Sequence, residues 1–343
     1  MQAGRGGDAP RLLLYRCSMI VVTGGAGFIG SNIVVALAGS GARVAVCDRL
    51  RQGDKWRNLT REPLAEIIPP EALVEWLPAH TAQIEAIVHM GAISSTTERD
   101  ADLIVEVNFR LSQALWRWCA RAGKRFIYAS SAATYGAGEQ GFDDDPRRLP
   151  LLRPLNAYGW SKHLFDRWIA QTLEAREPAP PQWAGLKFFN VYGPNEYHKG
   201  TMRSVVAQKY PLAAAERAVT LFRSHRADVP DGGQKRDFIY VRDCVEVVQW
   251  LLAHPGVNGL YNLGTGRARS FAELAQALFT ALKLPARIDY VDTPAAVLAH
   301  YQYFTEARME RLREVGYTQP FTSLEGGVAD YVQRYLSQPD PYL

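Results

Sequence analysis

Residues 19–30 read MIVVTGGAGFIG, and the fold turns on how that stretch changes character half-way. Met19–Thr23 is a short apolar run rich in β-branched residues, the pattern of a strand buried on both faces. Gly24, Gly27 and Gly30 follow at intervals of three. A tight turn needs the first, a pyrophosphate approaching backbone amides needs the second, and close packing of helix on strand needs the third. Residues 31–41, SNIVVALAGSG, then take helical spacing and stop at a glycine. The next strand, ARVAVCD (42–48), ends on Asp48, an acidic residue placed to accept from an adenosine ribose. Asp48 favours NAD; Arg49, Arg51 and Lys55 just beyond it can pair with a 2′-phosphate and so admit NADP.

The same alternation continues outward. IEAIVHMGA (84–92), RFIYASS (125–131) and GLKFFNVYG (185–193) read as further strands, and residues 101–122 and 158–175 as amphipathic helices. Strands alternating with helices predict an α/β fold with a doubly wound parallel sheet of Rossmann type, which binds ligands at the carboxyl edge of its strands. Beyond Pro194 the order loosens. Residues 204–218 and 271–284 read as helices, 235–255 as a short strand and a helix, and 287–292 as a strand. We therefore expect a cofactor domain of 19–190 plus roughly 235–265, a smaller α/β substrate lobe of 191–234 and 266–343, and a disordered extension over 1–18.

Bulk properties exclude several classes. A formal net charge of +4 over 343 residues points to no polyanionic partner, so nucleic acid is not expected, and no apolar run reaches membrane-spanning length. Cys17, Cys47, Cys119 and Cys244 stand far apart with no CxxC pair. They suggest neither a metal site nor a disulfide framework, and they suit a reducing cytoplasm.

YGWSK (158–162) sets Tyr158 and Lys162 one helical turn apart on one face. A phenol with an ordinary pKa near ~10 is too weak a base at neutral pH, and a neighbouring ammonium favours the phenolate. Ser131, ending RFIYASS, can hydrogen-bond the same substrate oxygen. Such a trio takes a proton from an alcohol while the alcohol carbon gives up a hydride to a nicotinamide, and Lys162 can also reach the nicotinamide ribose.

With TGGAGFIG (23–30), HMGAISS (89–95), SSAATYG (130–136) and YGWSK all present, the chain resembles an extended short-chain dehydrogenase/reductase. Within that family, GAISSTTE (91–98), FNVYGPNEYHKG (189–200), KRDFIYV (235–241), YNLGTGRA (261–268) and HYQYFT (300–305) resemble the ADP-heptose 6-epimerase branch. The resemblance implies a cytoplasmic isomerase of lipopolysaccharide inner-core synthesis that holds NADP, acts on an ADP-heptose nucleotide sugar and assembles as a homo-oligomer. It implies cofactor contacts from Phe28, Ile29, Asp48, Arg49, Lys55, Met90, Gly91, Ala92, Ile93, Ser94, Asn108, Lys162 and Val191. Implied substrate contacts are Asn190, Thr201, Phe222, Arg236 and Tyr301. Gln208 stands where the branch has a histidine in its substrate pocket. Loop 223–234, RSHRADVPDGGQ, is longer and more charged than the branch's, and the lysine expected beyond the second strand has no counterpart near Pro69 and Pro70.

Inverting C6″ through a 6″-aldehyde needs a second proton carrier. Rotation about C5″–C6″ moves the aldehyde oxygen away from Tyr158, which is fixed on its helix. Lys199, on a flexible stem in the loop after GLKFFNVYG, is the candidate. Two other readings remain open. A UDP-sugar 4-epimerase needs only Ser131, Tyr158 and Lys162; an NADP-binding sensor without turnover typically lacks the Tyr or the Lys. A dehydratase is disfavoured, because Ala132 and Ala133 after Ser131 cannot transfer protons.

Overall fold

The computed structural model describes residues 18–294 and 302–343, so residues 1–17 of the extension expected over 1–18, and Tyr301, lie outside the described residues. β1 (Met19–Thr23) is buried along its whole length. It lies between β2 (Arg43–Cys47) and β4 (Ile84–His89), parallel to both. Outward from β2 comes β3 (Glu66–Ile68). Outward from β4 come β5 (Arg125–Ser131), β6 (Trp183–Phe188) and β10 (Gly259–Leu263), again all parallel. The resulting order, β3-β2-β1-β4-β5-β6-β10, is a Rossmann-like doubly wound sheet whose direction of growth reverses between β1 and β4. Ligands of such sheets bind at that reversal, outside the carboxyl ends.

Helix α1 (Phe28–Gly39) packs on α7 (Val241–Ala253). Residues 101–122 form one run of helix with a wide turn in its middle: α3 (Ala101–Ile104), a π-helical segment Val105–Arg110, then α4 (Leu111–Ala122), closed by Gly123. α5 (Ala157–Glu174) starts at Asn156, whose side chain accepts from the Gly159 N–H at 2.8 Å.

GLKFFNVYG, expected as one strand, is two. Val191 N–H donates back to the Phe189 carbonyl at 3.0 Å, a γ-turn that carries the chain out of the main sheet. β7 (Asn190–Tyr192) then pairs with β9 (Lys235–Tyr240), which also pairs with β11 (Ala268–Ser270). A further parallel pair joins β8 (Val219–Phe222) to β12 (Ile288–Val291). β7, β8, β9 and β12, with α6 (Val205–Ala214), α8 (Phe271–Ala281) and the helix Leu324–Tyr331, contribute to a second hydrophobic core beside that of the main sheet.

Candidate active site

A cavity of about 1060 Å³ opens over the reversal point, and the glycine turn forms part of its wall. Gly24 has φ +65°, and a Cβ there would meet the Gly91 amide nitrogen at 2.6 Å, so this turn admits no side chain. Gly30 packs against the Gly24 carbonyl. A Cβ on Gly27 would touch only the Gly24 carbonyl oxygen, at 3.0 Å, leaving its cavity side open. Gly27 is also the N-cap of α1, which has no side-chain cap and no acidic residue in its first turn. Open space against uncapped amides at a helix N-terminus fits a pyrophosphate.

Asp48 braces this turn from the end of β2. One carboxylate oxygen accepts from the Ala26 N–H at 2.9 Å; the other accepts from the Arg49 N–H at 2.7 Å and from Lys55 at 2.6 Å. The Arg49 guanidinium pairs with Glu71 at 3.2 Å, in the first turn of α2 (Pro70–Ala79). Asp48, Arg49, Lys55 and Glu71 line the cavity, as do Phe28, Ile29 and Val191.

The stretch Met90–Ser94 also lines the cavity, and a buried chain of hydrogen bonds holds its base. Gly91 N–H donates to Thr23 Oγ at 3.1 Å, and the Thr23 hydroxyl donates to His89 Nδ1 at 2.6 Å. His89 Nε2–H donates to Ser112 Oγ at 2.8 Å, and Ser112 donates to the Asn108 carbonyl at 2.7 Å. Each donor is spoken for, which sets the tautomer, and burial pushes His89 down to about 3, so it stays neutral.

Asn108 lies in the π-helical segment. Its side chain accepts from the Ile93 N–H at 2.8 Å and donates to the Ile93 carbonyl and to Ser161 Oγ, each at 3.0 Å. With these bonds made it holds the cavity wall from behind rather than lining the cavity.

Ser131, Tyr158 and Lys162 meet in the cavity. α5 begins hard against the residues after Ser131: a Cβ on Gly159 would come within 2.7 Å of the Ala133 carbonyl oxygen. That closeness brings Tyr158 to Ser131. Burial raises the Tyr158 phenol above its ordinary value, while a hydrogen bond with Ser131 pulls it down. The lowering expected from Lys162 is not seen: desolvation governs the phenol, and Ser131 is the group that opposes it. Lys162 itself is pulled down to about 8 by burial, with Asp166 acting the other way.

Lys199 reaches the same cavity from a 3₁₀ turn, Tyr197–Met202. Its ammonium sits 5.3 Å from the centre of the Phe28 ring, a cation–π contact. Burial lowers its pKa, and Glu196 opposes that. A phenol and an ammonium, from separate elements, therefore face one cavity that fits a nicotinamide dinucleotide.

The profile of the NAD dependent epimerase/dehydratase family matches residues 20–264. The chain belongs to that family. A relative from Nitratidesulfovibrio vulgaris, named ADP-L-glycero-D-manno-heptose-6-epimerase, is 48% identical over 328 residues, 95% of this chain and 100% of its own. A Fusobacterium nucleatum protein of the same name is 46% identical over 336 residues, again 95% of this chain and 100% of its own. Among solved structures, the Helicobacter pylori ADP-L-glycero-D-manno-heptose-6-epimerase is 27% identical, with a TM-score of 0.74 over 95% of this chain and 98% of that one. The UDP-glucose 4-epimerase of Thermotoga maritima matches equally well in fold, with a TM-score of 0.74 and 27% identity over 92% of this chain and 97% of that one.

In this epimerase/dehydratase, the remaining expected substrate residues among the described ones fall outside the cavity wall. Asn190 is exposed on β7. Thr201 is exposed, and Gln208 donates to the carbonyls of Thr201 at 3.1 Å and Arg203 at 2.6 Å, bracing the Lys199 loop. Phe222 ends β8, and Arg236 on β9 stacks 5.6 Å from the Phe271 ring centre. In the long loop, Ser224 N–H bonds Asp231 at 2.8 Å and Arg223 pairs with Asp292 at 3.3 Å.

Asp166 and Lys187 are absent from the sequence reading, yet both are fully buried and paired at 2.7 Å. Asp166 lies one turn beyond Lys162 on α5 and also accepts from Ser130 at 2.7 Å and Tyr128 at 3.0 Å. Lys187 also donates to Thr134 at 2.7 Å. A lysine inside an apolar strand and a carboxylate four residues past Lys162 were the available signals.

Proposed function

We propose that the protein is an NADP-dependent epimerase that interconverts ADP-D-glycero-D-manno-heptose and ADP-L-glycero-D-manno-heptose at C6″, supplying a lipopolysaccharide inner-core precursor in the cytoplasm. The observation that carries this reading is Lys199, a partly desolvated second proton carrier in the cavity that holds Tyr158 and Ser131. A nicotinamide held in this cavity would supply the hydride acceptor, and later donor, for C6″. Tyr158, hydrogen-bonded by Ser131, takes the hydroxyl proton of one epimer. Rotation about C5″–C6″ then turns the aldehyde oxygen towards Lys199, which donates the proton that completes the other epimer. In the reverse direction the two residues exchange roles. Lys162 binds the nicotinamide ribose, the glycine turn the pyrophosphate, and Asp48 the adenosine ribose. Residues 191–234 and 266–343 serve as the substrate lobe in this reading, and Asn190, Thr201, Gln208, Phe222 and Arg236, which stand outside the cavity wall, would contact the part of the sugar nucleotide that extends beyond it. As the resemblance implies, the chain would assemble as a homo-oligomer.

The test is incubation with ADP-D-glycero-D-manno-heptose, with separation of the C6″ epimers and UDP-glucose as the comparison substrate. Lys199→Met and Tyr158→Phe should each lose about 10²–10⁴-fold in epimerisation while still binding NADP. Near wild-type epimerisation by Lys199→Met would show that one base does both jobs. Conversion of UDP-glucose but not the heptose would establish the 4-epimerase instead, and no product from either sugar would favour a binding protein.

A further inference from the structure

We propose that residues 340–343 form a clasp that ties the Lys199 loop to the adenosine end of the cavity, with Tyr342 as its positioning residue. The inference rests on the role given to Lys199 above.

Both sides of the clasp are hydrogen-bonded and packed. In the Lys199 loop, buried Asn195 holds a left-handed backbone with φ +71°, and its side-chain oxygen accepts from the Leu343 N–H at 3.0 Å. The Tyr197 hydroxyl donates to the Pro341 carbonyl at 2.8 Å. The Tyr342 ring meets the Tyr197 ring edge-on, with centroids 5.2 Å apart.

On the other side stands the 3₁₀ turn Asp54–Leu59, whose Lys55 holds Asp48. Arg57 lies 4.3 Å from the centre of the Tyr342 ring. Arg57 and Arg61 reach Asp340 at 3.4 and 2.8 Å. The exposed ion pairs contribute little alone. Tyr342, however, is only 7% exposed, so the joint is a packed one. Asn58 closes the triangle, donating to the Ala26 carbonyl of the glycine turn at 2.9 Å and to the Asn195 carbonyl at 3.1 Å.

The loop needs such support because its tip is weakly packed. The turn Tyr197–Met202 contains no fully buried residue, and its backbone kinks at Gly200, where φ is +56°. Its other end is held by Glu196, which accepts from the Ser204 hydroxyl at 2.6 Å and from Tyr331 at 3.1 Å. Segments with few buried contacts open locally unless their ends are pinned. A proton carrier works only within hydrogen-bond reach, so release of the clasp should slow the chemistry more than it weakens substrate binding.

The experiment compares wild type, Tyr342→Ala, Tyr342→Phe and Asp340→Ala as full chains, by amide hydrogen exchange without substrate and by kcat and KM for the ADP-heptose. Tyr342→Ala should speed exchange about tenfold in both 54–59 and 197–202 and lower kcat by a similar factor at nearly constant KM. Tyr342→Phe keeps the ring and should match wild type. Asp340→Ala keeps Tyr342 and should show a smaller rise in the same two segments. Exchange unchanged in either segment, in a folded Tyr342→Ala or in Asp340→Ala, overturns the clasp. Faster exchange with unchanged kcat overturns the positioning role. A wild-type chain that fails to epimerise the heptose sinks the functional reading instead, and the clasp then stands or falls on the exchange arm.

Discussion

Lys162 shows how the surroundings of one side chain set its behaviour. Four residues along α5 it has the carboxylate of Asp166, but that carboxylate is already engaged by Lys187, Ser130 and Tyr128. Lys162 is thus left with little compensation for burial, and its pKa falls from 10.5 to about 8. The sign of the consequence follows from proton counting. Between about pH 8 and 10.5 the unfolded chain holds the Lys162 proton and the folded chain does not. Stability therefore rises with pH across that window. In the cofactor-free protein, the urea midpoint should climb more steeply between about pH 8 and about pH 9.5 for wild type than for Lys162→Met. Identical slopes would mean that Lys162 is better solvated than its burial indicates. The difference between the two proteins isolates Lys162 from the other shifted groups, Tyr158 and Lys199 among them.

At the scale of elements, the buried ion pair beneath α5 joins helix to sheet. Lys187 comes from β6 and Asp166 from α5, and neither has solvent to fall back on. Removing one partner of such a pair leaves an uncompensated charge, which costs about 3–5 kcal/mol. Lys187→Met should lose stability on that scale in urea unfolding, and Lys187→Met with Asp166→Asn should recover much of it. A double variant no more stable than the single one would show that Lys187 contributes packing rather than charge. This pair was hard to see in the sequence, since GLKFFN reads as an apolar strand with one interruption. What the sequence did convey was local: an apolar run, a glycine turn at fixed spacing and a helix, each decided by neighbouring residues. The parts it hid depend on distant ones. β3 is three residues long and GLYNL in β10 lies between turn residues, so pairing with a neighbour rather than propensity makes them strands. The split of GLKFFNVYG needs β9, more than 40 residues on, to capture β7. Likewise Asn108, expected at the cofactor, is turned by the π-helical segment to bind Ile93 instead. The motif residues Asp237 and Thr265 also serve the scaffold: buried Asp237 accepts from the Thr265 N–H and hydroxyl, each at 2.7 Å, from the Gly266 N–H at 2.9 Å and from the Ala307 N–H at 3.0 Å.

For the whole molecule, cofactor binding should appear as stability, because the cavity wall is drawn from the glycine turn, the Met90–Ser94 stretch, α5 and the Lys199 loop together. A ligand that binds only the folded chain adds about 2.7 kcal/mol at a hundred times its Kd. The choice between NADP and NAD then rests on two cations and one carboxylate. Lys55 is folded onto Asp48, and Arg49 onto Glu71. The second pair is exposed, 48% at Arg49 and 64% at Glu71, so solvent screening leaves it a weak hold on Arg49. A 2′-phosphate offers the guanidinium a charge-assisted bidentate partner, which is stronger, so NADP should win Arg49 from Glu71. Thermal unfolding should therefore rise further with NADP than with NAD at equal concentration. Glu71→Gln removes a competing and repelling carboxylate and should widen that gap. Replacing Arg49 and Lys55 with Ala should close it while leaving most of the NAD shift in place. Equal shifts with the two cofactors in the wild-type chain would show that Asp48 alone reads the ribose and that Arg49 and Lys55 serve the loop rather than the phosphate.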